Sequence, residues 1–384
     1  MAIVPDNPFV YGEIVPRAAF VDRETELARL IADLGDCQKI FLISPRRYGK
    51  SSLVRQTLAV IAKQRVATLE ITVSSFSSYV GFLEGYTRAL ASLDVETGRV
   101  RSWLRDVFTS VTPEWRVDAG ARAGVAVSFP SVRTPRAAAR LAEEVFALPA
   151  RLASRLGRRI VIALDEFQAI ASFNGGSVEQ ALRAAVQQQR QVGYVFAGSE
   201  PSLMEQMIGP RRPFYKAGPV MRLGKIPADV FARFIDDRFR SSGIRAEAGL
   251  GAAIVDVSGN LPYDVQRLAH ELWDDAMSDK RRRIGLDEVH ATLRRLLAEH
   301  EIFFEAVWHP LTLAQRAVLR AVVFEQGSEI LGADVRIRHR LGGASSVQAA
   351  LHALRRLDVI AREDDGRYVV IDSLMREWIA RRTS

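Results

Sequence analysis

A short loop rich in proline, arginine and glycine separates two apolar runs in the stretch KIFLISPRRYGKSSLV, Lys39–Val54. A strand, a tight loop and the start of a helix direct backbone N–H groups and the helix dipole towards one point, which suits a phosphate. Gly49 allows the backbone to approach closely, Lys50 can reach the β- and γ-phosphates of a nucleotide, and Ser51 can ligate Mg²⁺. The types and spacing of these residues predict a nucleotide-phosphate site.

The loop departs from the usual G-x-x-x-x-G-K-[ST] pattern at one position, where Ser44 replaces the first glycine. Serine is nearly as small, but it adopts a positive φ less readily than glycine. We expect the replacement to leave the site intact, and an ordinary Gly-Lys-Ser at a helix start is the alternative interpretation. The residues expected to surround the phosphates are Ser44, Pro45, Arg46, Arg47, Tyr48, Gly49, Lys50, Ser51 and Ser52.

Two carboxylates follow another buried run, IVIALDEFQ, in which Asp165 and Glu166 stand at the carboxyl end of a predicted strand. An aspartate there can hold Mg²⁺ and a glutamate can polarise an attacking water. The alternative interpretation is a helix cap, since acidic residues favour helix starts. Ser199 ends the next apolar strand, VGYVFAGSE, where it can sense a γ-phosphate. The order of the loop and the acid pair favours magnesium-dependent nucleotide chemistry.

These side chains require strands whose carboxyl ends meet at one edge of a sheet. The sequence predicts such strands at KIFLIS, VATLEITV, RIVIALD and VGYVFAG, with helices between them and a weaker last strand at PVMRLGKI. Because the strands are almost continuously apolar, they favour a parallel sheet covered on both faces. Two further elements are predicted, a β-hairpin in Trp115–Pro130 and a long helix that kinks or breaks at Pro149.

After about Pro227 the strands stop and the chain is predicted to be helical. In its last part, Thr312 and Gln315 form a capping box at the start of a helix. A short helix follows, then a third helix with Ser345 as its N-cap, and finally a hairpin with an Asp-Gly turn. This layout is that of a winged helix-turn-helix. The predicted domains are an α/β core at 1–226, a helical domain at 227–300 and a winged helix at 301–384.

The bulk composition limits the class of protein only broadly. The chain has 384 residues, and no apolar run approaches the ~20 residues that a membrane helix needs. Cys37 is the only cysteine, so an internal disulfide is impossible and we expect a reducing cytoplasm without a membrane partner. The formal net charge of +8 is compatible with nucleic acid as a partner, or with a general preference for arginine.

The motifs SPRRYGKSSL, IALDEFQ, FAGSEPSLM, PFYKAG and GNLPYDVQRLAHELW follow one another in an order that resembles the archaeal-type ATPase family, a group within the STAND branch of AAA+-like P-loop ATPases. The resemblance covers nearly the whole chain, including the opening NPFVYGEIVPRAAFVDRETEL and the C-terminal winged helix. It implies a P-loop NTPase sheet with an additional strand between the loop strand and the acid strand, a helical lid, and ATP with Mg²⁺ as ligands.

The phosphate loop and the acid pair of this chain match those of the family. The resemblance also implies roles for residues outside these two motifs. Gly259 and Pro262 match a lid motif that lies near the nucleotide. The segment that contains Phe20, Val21 and Arg23 resembles the family's entry on the adenine side. These five residues are therefore expected to contact the nucleotide.

The family usually has an arginine in the segment that reads PFYKAG here, where this chain has Lys216. Arg211 and Arg212 precede it and Arg222 follows it, and any of these could act as an arginine finger. A solvated loop is the alternative interpretation for the first two. The predicted catalytic residues are Lys50, Glu166, Ser199, Arg212 and Lys216.

Two kinds of partner are open for the winged helix. Its recognition helix would be ASSVQAALHALRRLDV, in which Ser345 and Gln348 can meet base edges or phosphates of double-stranded DNA. The turn REDDGR carries Glu363, Asp364 and Asp365, which repel phosphate. A protein contact, including one with a second copy of the chain, is the alternative.

The sequence thus predicts an ATP-binding and ATP-hydrolysing molecular switch, whose ATP or ADP state repositions the winged helix for DNA or protein binding. Two other classes stay open. One is a DNA-loading ATPase that resembles an origin initiator or a transposition helper. The other is a non-hydrolysing signalling or scaffold protein in which the nucleotide is structural.

Overall fold

The computed structural model describes residues 6–13, 15–16, 20–94, 103–104, 107–109, 111–117, 125–173, 177–363 and 365–382. The chain divides into two compact units. We call Arg23–Gly224 the sheet unit, and Met1–Asp22 together with Lys225–Ser384 the helical unit. The predicted boundary at 226 lies next to this division. The predicted first domain also includes residues 1–22, which the structure groups with the helical unit.

The sheet unit contains five parallel strands where the apolar runs predict them. They are β1 (Lys39–Ile43), β2 (Ala67–Thr72), β5 (Ile160–Asp165), β6 (Val192–Gly198) and β7 (Val220–Arg222). Their order across the sheet is β2-β5-β6-β1-β7, and the pairings are parallel. β6 therefore lies between the loop strand and the acid strand, which confirms the predicted additional strand. Every residue of β5 and β6 is buried, as a parallel sheet covered on both faces requires.

Helices connect these strands, and the longest of them differs from its prediction. This helix continues through Pro149, so the predicted break is wrong, and a kink there, the other predicted alternative, stays a prediction. Its buried face, which includes Val145, Phe146 and Leu152, explains the continuity, because packing outweighs the one backbone hydrogen bond that proline removes. The helices are α1 (Glu24–Gly35), α2 (Lys50–Ala62), α3 (Tyr79–Ala91), α4 (Pro135–Leu156), α5 (Ser177–Gln188) and α6 (Pro201–Ile208), with 3₁₀ segments at Val73–Ser75, Ser92–Asp94 and Phe167–Ser172.

The predicted hairpin between α3 and α4 is present. Strands β3 (Glu114–Val117) and β4 (Val125–Ser128) pair antiparallel, with Glu114 opposite Ser128. The glycines that the sequence places between these strands lie outside the described residues. Phe129, which follows β4, is buried in the core of the sheet unit, so the hairpin is tied to the sheet by packing.

After Gly224 the helical unit continues with helices, as the sequence predicts. They are α7 (Ala228–Ser241), α8 (Leu250–Val257), α9 (Pro262–Ser278), α10 (Leu286–Glu299) and α11 (Glu301–Trp308). Two very short strands, β8 (Arg245–Ala246) and β9 (Arg283–Ile284), pair in parallel between them, so the prediction that the strands stop after about Pro227 is wrong there. None of the helices in the described parts of the chain combines the length and the apolar character of a membrane span.

The N-terminal segment packs into the core of this helical unit. The ring of Phe9 is fully buried, and its centroid lies 4.7 Å from that of Phe239. Asn7 donates a hydrogen bond of 2.8 Å to Asp274, and the hydroxyl of Tyr11 donates one of 2.8 Å to Glu271. A buried aromatic ring between two polar anchors explains why an extended segment without secondary structure is ordered here.

The C-terminal part has the predicted winged helix layout. The capping box at Thr312 and Gln315 is present, with hydrogen bonds of 2.8 and 3.2 Å. The third helix begins at Ala344 after Gly343, so the prediction of Ser345 as its N-cap is wrong. The elements are α12 (Leu313–Phe324), α13 (Ala333–Arg338), α14 (Ala344–Arg356), β10 (Ile360–Arg362), β11 (Tyr368–Val370) and α15 (Ser373–Arg382), and the last of these was not predicted.

Candidate active site

The topology of the sheet brings the predicted site residues to one edge. β5, β6 and β1 are neighbours and run in the same direction, so their carboxyl ends lie side by side. The loop after β1 begins at Ser44, Asp165 ends β5 with Glu166 directly after it, and Ser199 follows β6. The backbone N–H of Ser44 donates to the carbonyl of Gly198 over 3.2 Å, which fixes two of these ends together.

The loop after β1 turns directly into α2. Gly49 has a φ of 84°, which glycine adopts at little cost and other residues adopt with strain. It is the N-cap of α2, and its carbonyl accepts the first helical hydrogen bond from Leu53 at 3.0 Å. Lys50 is the first residue of the helix and is almost fully buried. The geometry is that of a helix N-terminus presented to an anion.

Ser44 fits the loop without strain. It is not among the residues with a positive φ, so the position does not need the freedom of the usual glycine. Its side chain is 1% exposed, and among the described residues its Oγ has no hydrogen-bond partner. A buried hydroxyl without a partner is costly, and a phosphate oxygen of a nucleotide would satisfy it.

The lysine and the serine that open α2 both contact the aspartate that ends β5. The Nζ of Lys50 contacts Oδ1 of Asp165, and the Oγ of Ser51 donates to Oδ2 of Asp165 over 3.0 Å. A hydroxyl and a carboxylate are hard oxygen donors of the kind that Mg²⁺ binds together with water and phosphate oxygens. Ser51 and Asp165 therefore fit a magnesium ion, and Lys50 fits the phosphates beside it.

Glu166 is held in a strained backbone conformation next to this group. Its φ is 52°, in the left-handed region that costs a non-glycine residue roughly 1 kcal/mol or more. Oε2 accepts hydrogen bonds from the hydroxyl of Ser199 and, at 2.6 Å, from the amide of Gln168, while Oε1 lies 3.8 Å from Nζ of Lys50. The carboxylate is thus fixed beside the phosphate loop, where it can accept a proton from a water molecule.

Gln168 is a site residue that the sequence analysis missed. Its Nε2 also lies 3.4 Å from Oγ of Ser199 and 3.3 Å from Oε1 of Glu200. Its Oε1 is buried and, within the described residues, has no hydrogen-bond partner. The signal was its place two residues after Glu166 in IALDEFQ. The structure assigns it the role of orienting the Glu166 carboxylate.

Arg212, Lys216 and Arg222, which lie in or near the segment predicted to supply an arginine finger, each contact another side chain of the sheet unit. Arg212 lies 3.4 Å from Oε1 of Glu179, a carboxylate that is only 1% exposed. Lys216 has a φ of 53° and its Nζ lies 5.4 Å from the centre of the Tyr215 ring. Arg222 pairs with Glu205 at 2.6 Å. A catalytic role for Arg212 or Lys216 stays a prediction.

We expect Arg212→Ala to lower the free energy of unfolding by about 1 kcal/mol at neutral pH, since it leaves the buried Glu179 carboxylate without its cation. Burial raises the pKa of Glu179, and Arg212 lowers that pKa in part. The ion pair requires an ionised Glu179, so the loss should shrink as the pH falls through the pKa of Glu179. Urea unfolding at several pH values measures this difference.

The matched control is Arg222→Ala, because the partner of Arg222 is half exposed and its loss should change stability by less than ~0.5 kcal/mol. An Arg212→Ala variant with unchanged stability but a large loss of nucleotide turnover would contradict the structural role. It would instead support the predicted catalytic role of Arg212.

The remaining predicted contacts are divided between the two units. Arg23 is buried in the sheet unit and pairs with Glu26 at 2.9 Å, whereas Phe20 and Val21 belong to the helical unit. Gly259 and Pro262 also belong to the helical unit. Gly259 has a φ of 59°, and a Cβ added there would lie 3.3 Å from Nη1 of Arg376 on α15. Pro262 is the first residue of α9. Contact of these residues with a nucleotide stays a prediction.

Helix α14, the predicted recognition helix, exposes a polar face. Ser345, Gln348 and His352 are exposed, whereas Val347 and Leu351 on the opposite face are buried. This face can meet a DNA groove or a polar protein surface.

The carboxylates of the wing are engaged by cations. Glu363 lies 2.8 Å from Lys225, and Asp365 lies 2.6 Å from Arg367, which lowers the pKa of Asp365 through backbone and side-chain hydrogen bonds. Asp364 lies outside the described residues. These pairs reduce the repulsion that the wing sequence alone predicts towards phosphate.

Comparison with known proteins gives one family match, and it lies in the C-terminal part. Residues 302–381 match the family described as "Probable winged helix domain". This range contains α12 to α14, the wing hairpin and all but the last residue of α15, and it confirms the predicted C-terminal winged helix. No curated protein sequence matches the chain.

Solved structures resemble this chain over nearly its whole length. A Walker-type ATPase of Pyrococcus abyssi, PABY2304, has a TM-score of 0.64 at 15% identity and covers 96% of this chain and 99% of its own. The ORC2 protein of Aeropyrum pernix, described as ADPNP-ADP complexes, has a TM-score of 0.56 at 12% identity and 99% coverage of both chains. The ORC1 protein of the same organism, in complex with DNA, has a TM-score of 0.52 at 12% identity, with 96% and 95% covered.

At these identities the likeness shows a common fold. The parallel sheet with β6 between β1 and β5, together with the winged helix, agrees with the resemblance that the motifs gave. The chain therefore has the fold of an archaeal-type P-loop ATPase with a C-terminal winged helix.

Proposed function

We propose that this chain binds and hydrolyses ATP with Mg²⁺ and acts as a switch, in which the nucleotide state repositions the winged helix. The observation that carries the proposal is the convergence of Lys50, Ser51, Asp165, Glu166 and Ser199 at the carboxyl ends of three adjacent strands. Phosphoryl transfer uses each of these groups: a lysine at a helix N-terminus for the phosphates, one carboxylate for Mg²⁺ and a second carboxylate for the attacking water.

When bound, Mg-ATP supplies an electrophilic γ-phosphoryl group. Lys50 would hold the phosphates, and Ser51 with Asp165 would hold the metal. Glu166 would accept the proton of the attacking water, and Ser199 and Gln168, which already donate to Oε2 of Glu166, would keep that carboxylate oriented. The unpaired hydroxyl of Ser44 would donate to a phosphate oxygen.

A DNA-loading ATPase, like an origin initiator or a transposition helper, is the second candidate. It is favoured by the exposed polar face of α14 and by the similar ORC1 structure, which is a complex with DNA. The third candidate, a non-hydrolysing signalling or scaffold protein, would use the same phosphate contacts without turnover. A protein partner or a second copy of the chain would then contact the winged helix. We place the chain in the cytoplasm in each case.

Binding of a fluorescent ATP analogue with Mg²⁺ tests the shared step of all three candidates. Lys50→Ala should weaken binding about 10- to 100-fold, because a charge-assisted hydrogen bond is worth ~1.5–3 kcal/mol. Lys63→Ala, which removes an exposed lysine just after α2, is the control and should bind like the wild type. Equal binding by the wild type and Lys50→Ala would refute the nucleotide site.

A further inference from the structure

An arginine-lined pocket lies in the helical unit. Its walls are Gly243, Arg245, Arg281, Arg282 and Arg283, around a volume of about 600 Å³. We call these four arginines and the space between them the arginine pocket. The site chemistry described for the sheet unit does not use any of them.

The backbone that carries the arginine pocket is fixed. β8 and β9 pair in parallel with Arg245 opposite Arg283, and the N–H of Arg245 donates to the carbonyl of Arg282 over 2.9 Å. Ile244 and Ile284, each next to a pocket arginine, are buried in the core of the helical unit. Guanidinium groups on such a scaffold are positioned relative to one another before any ligand binds, which lowers the entropic cost of binding.

The charges of the arginine pocket are largely uncompensated. Arg281 pairs with Asp279 and with Glu288 at 3.1 Å. Within the described parts of the chain, no carboxylate lies within ion-pair distance of Arg245, Arg282 or Arg283, and all three are exposed. Arginine stays protonated at any physiological pH, so three adjacent positive charges face solvent in one concave surface. Such a surface selects a ligand with several phosphates.

Carboxylates neutralise part of the positive charge of the winged helix in the same unit. Arg338 pairs with Glu325 at 2.5 Å, and Arg367 pairs with Asp365 at 2.6 Å. A groove-reading helix alone gives sequence discrimination, while most of the affinity for DNA comes from cations that neutralise phosphates. Exposed arginines without an ion pair within the described residues also occur in the winged helix, such as Arg362 on the wing, so the arginine pocket would add to the phosphate contacts that the winged helix can make.

We propose that the arginine pocket binds the phosphate backbone of double-stranded DNA and supplies a second, sequence-independent contact besides the winged helix. The inference rests on the candidate within the proposed function in which the winged helix binds DNA. Each of Arg245, Arg282 and Arg283 would neutralise a phosphate, and Arg281, held by Asp279 and Glu288, would keep the loop between α9 and β9 in place.

The test is fluorescence anisotropy of labelled duplexes of two unrelated sequences, titrated with the full chain between about 50 and 200 mM salt. Single changes to alanine at the three uncompensated arginines should each weaken binding about 5- to 10-fold at ~0.1 M salt, equally for both duplexes. Each should also reduce the slope of log K against log salt by about 0.9, and the triple variant by nearly 3.

The matched control is Arg233→Ala, which removes one positive charge from an exposed arginine on α7 in the same unit. It should leave the slope and the affinity close to those of the wild type. Because the three pocket arginines are exposed, the variants should melt like the wild type, and binding of the ATP analogue in the sheet unit should not change.

Two results would overturn the inference. One is a triple variant that binds both duplexes with wild-type affinity and salt slope. The other is a wild type that binds neither duplex at the lowest salt while it still binds the ATP analogue, which would remove DNA as the partner without touching the nucleotide site. A wild type that does not bind the ATP analogue would count against the proposed function itself.

Discussion

Replacing Glu166 by glutamine should reduce ATP turnover by about 100- to 10,000-fold and leave ATP binding within a few-fold of the wild type, because a general base contributes roughly that factor. Glutamine has the same shape but cannot accept the proton of the attacking water at neutral pH. The contacts of the carboxylate with Ser199 and Gln168 show that it is oriented. Steady-state phosphate release, measured beside binding of the fluorescent ATP analogue, separates the two effects.

The control for this prediction is Glu205→Gln, which changes a half-exposed glutamate of the same unit that pairs with Arg222. It should keep wild-type turnover. The same assay with and without duplex DNA distinguishes the candidate functions. Turnover that rises with DNA and disappears in Glu166→Gln supports a DNA-coupled ATPase, and turnover indifferent to DNA supports a protein contact for the winged helix. A wild type that binds ATP without turning it over would contradict hydrolysis and favour the scaffold candidate.

The sequence predicted most of the candidate site because the chemistry lies in short segments whose positions the sheet determines. An apolar strand followed by Gly49 and Lys50 can only present a helix N-terminus, and Asp165 ends a strand whose every residue is buried. Parallel strands bring their carboxyl ends to one edge, so the convergence of these segments follows from the strand order. The prediction needed no side-chain contact between distant segments.

Other features depend on contacts that local patterns do not record. In the sequence, Gln168 looks like any polar residue that follows a strand. Only its hydrogen bonds to Glu166 and Ser199 in the structure give it a role. Pro149 predicts a kink or a break by its local chemistry, but the buried face of α4 keeps the helix unbroken. Ser345 is the predicted N-cap of α14 because serine favours such positions, whereas the helix begins at Ala344 after Gly343.

The N-terminal segment depends on the contact that spans the greatest distance in sequence among these examples, since Phe9 packs against the ring of Phe239, which lies 230 positions later in the chain. We expect Phe9→Ala to lower the free energy of unfolding of the helical unit by about 3–5 kcal/mol, as truncation of a fully buried phenylalanine usually does. The ring contacts Phe239, and its backbone carbonyl accepts a hydrogen bond of 2.7 Å from Nδ1 of His270, so both α7 and α9 should lose support.

Hydrogen exchange resolved by segment is the measurement for this prediction, because it reports the two units separately. Amides of α7 and α9 should exchange faster in Phe9→Ala, while those of β5 and β6 in the sheet unit should keep their protection. Tyr11→Phe is the matched control, since it removes only the hydroxyl that donates to Glu271 and should cost about 1 kcal/mol. Unchanged exchange in α7 and α9 would mean that residues 6–11 do not belong to the helical core, and equal acceleration in β5 would mean that the two units unfold as one.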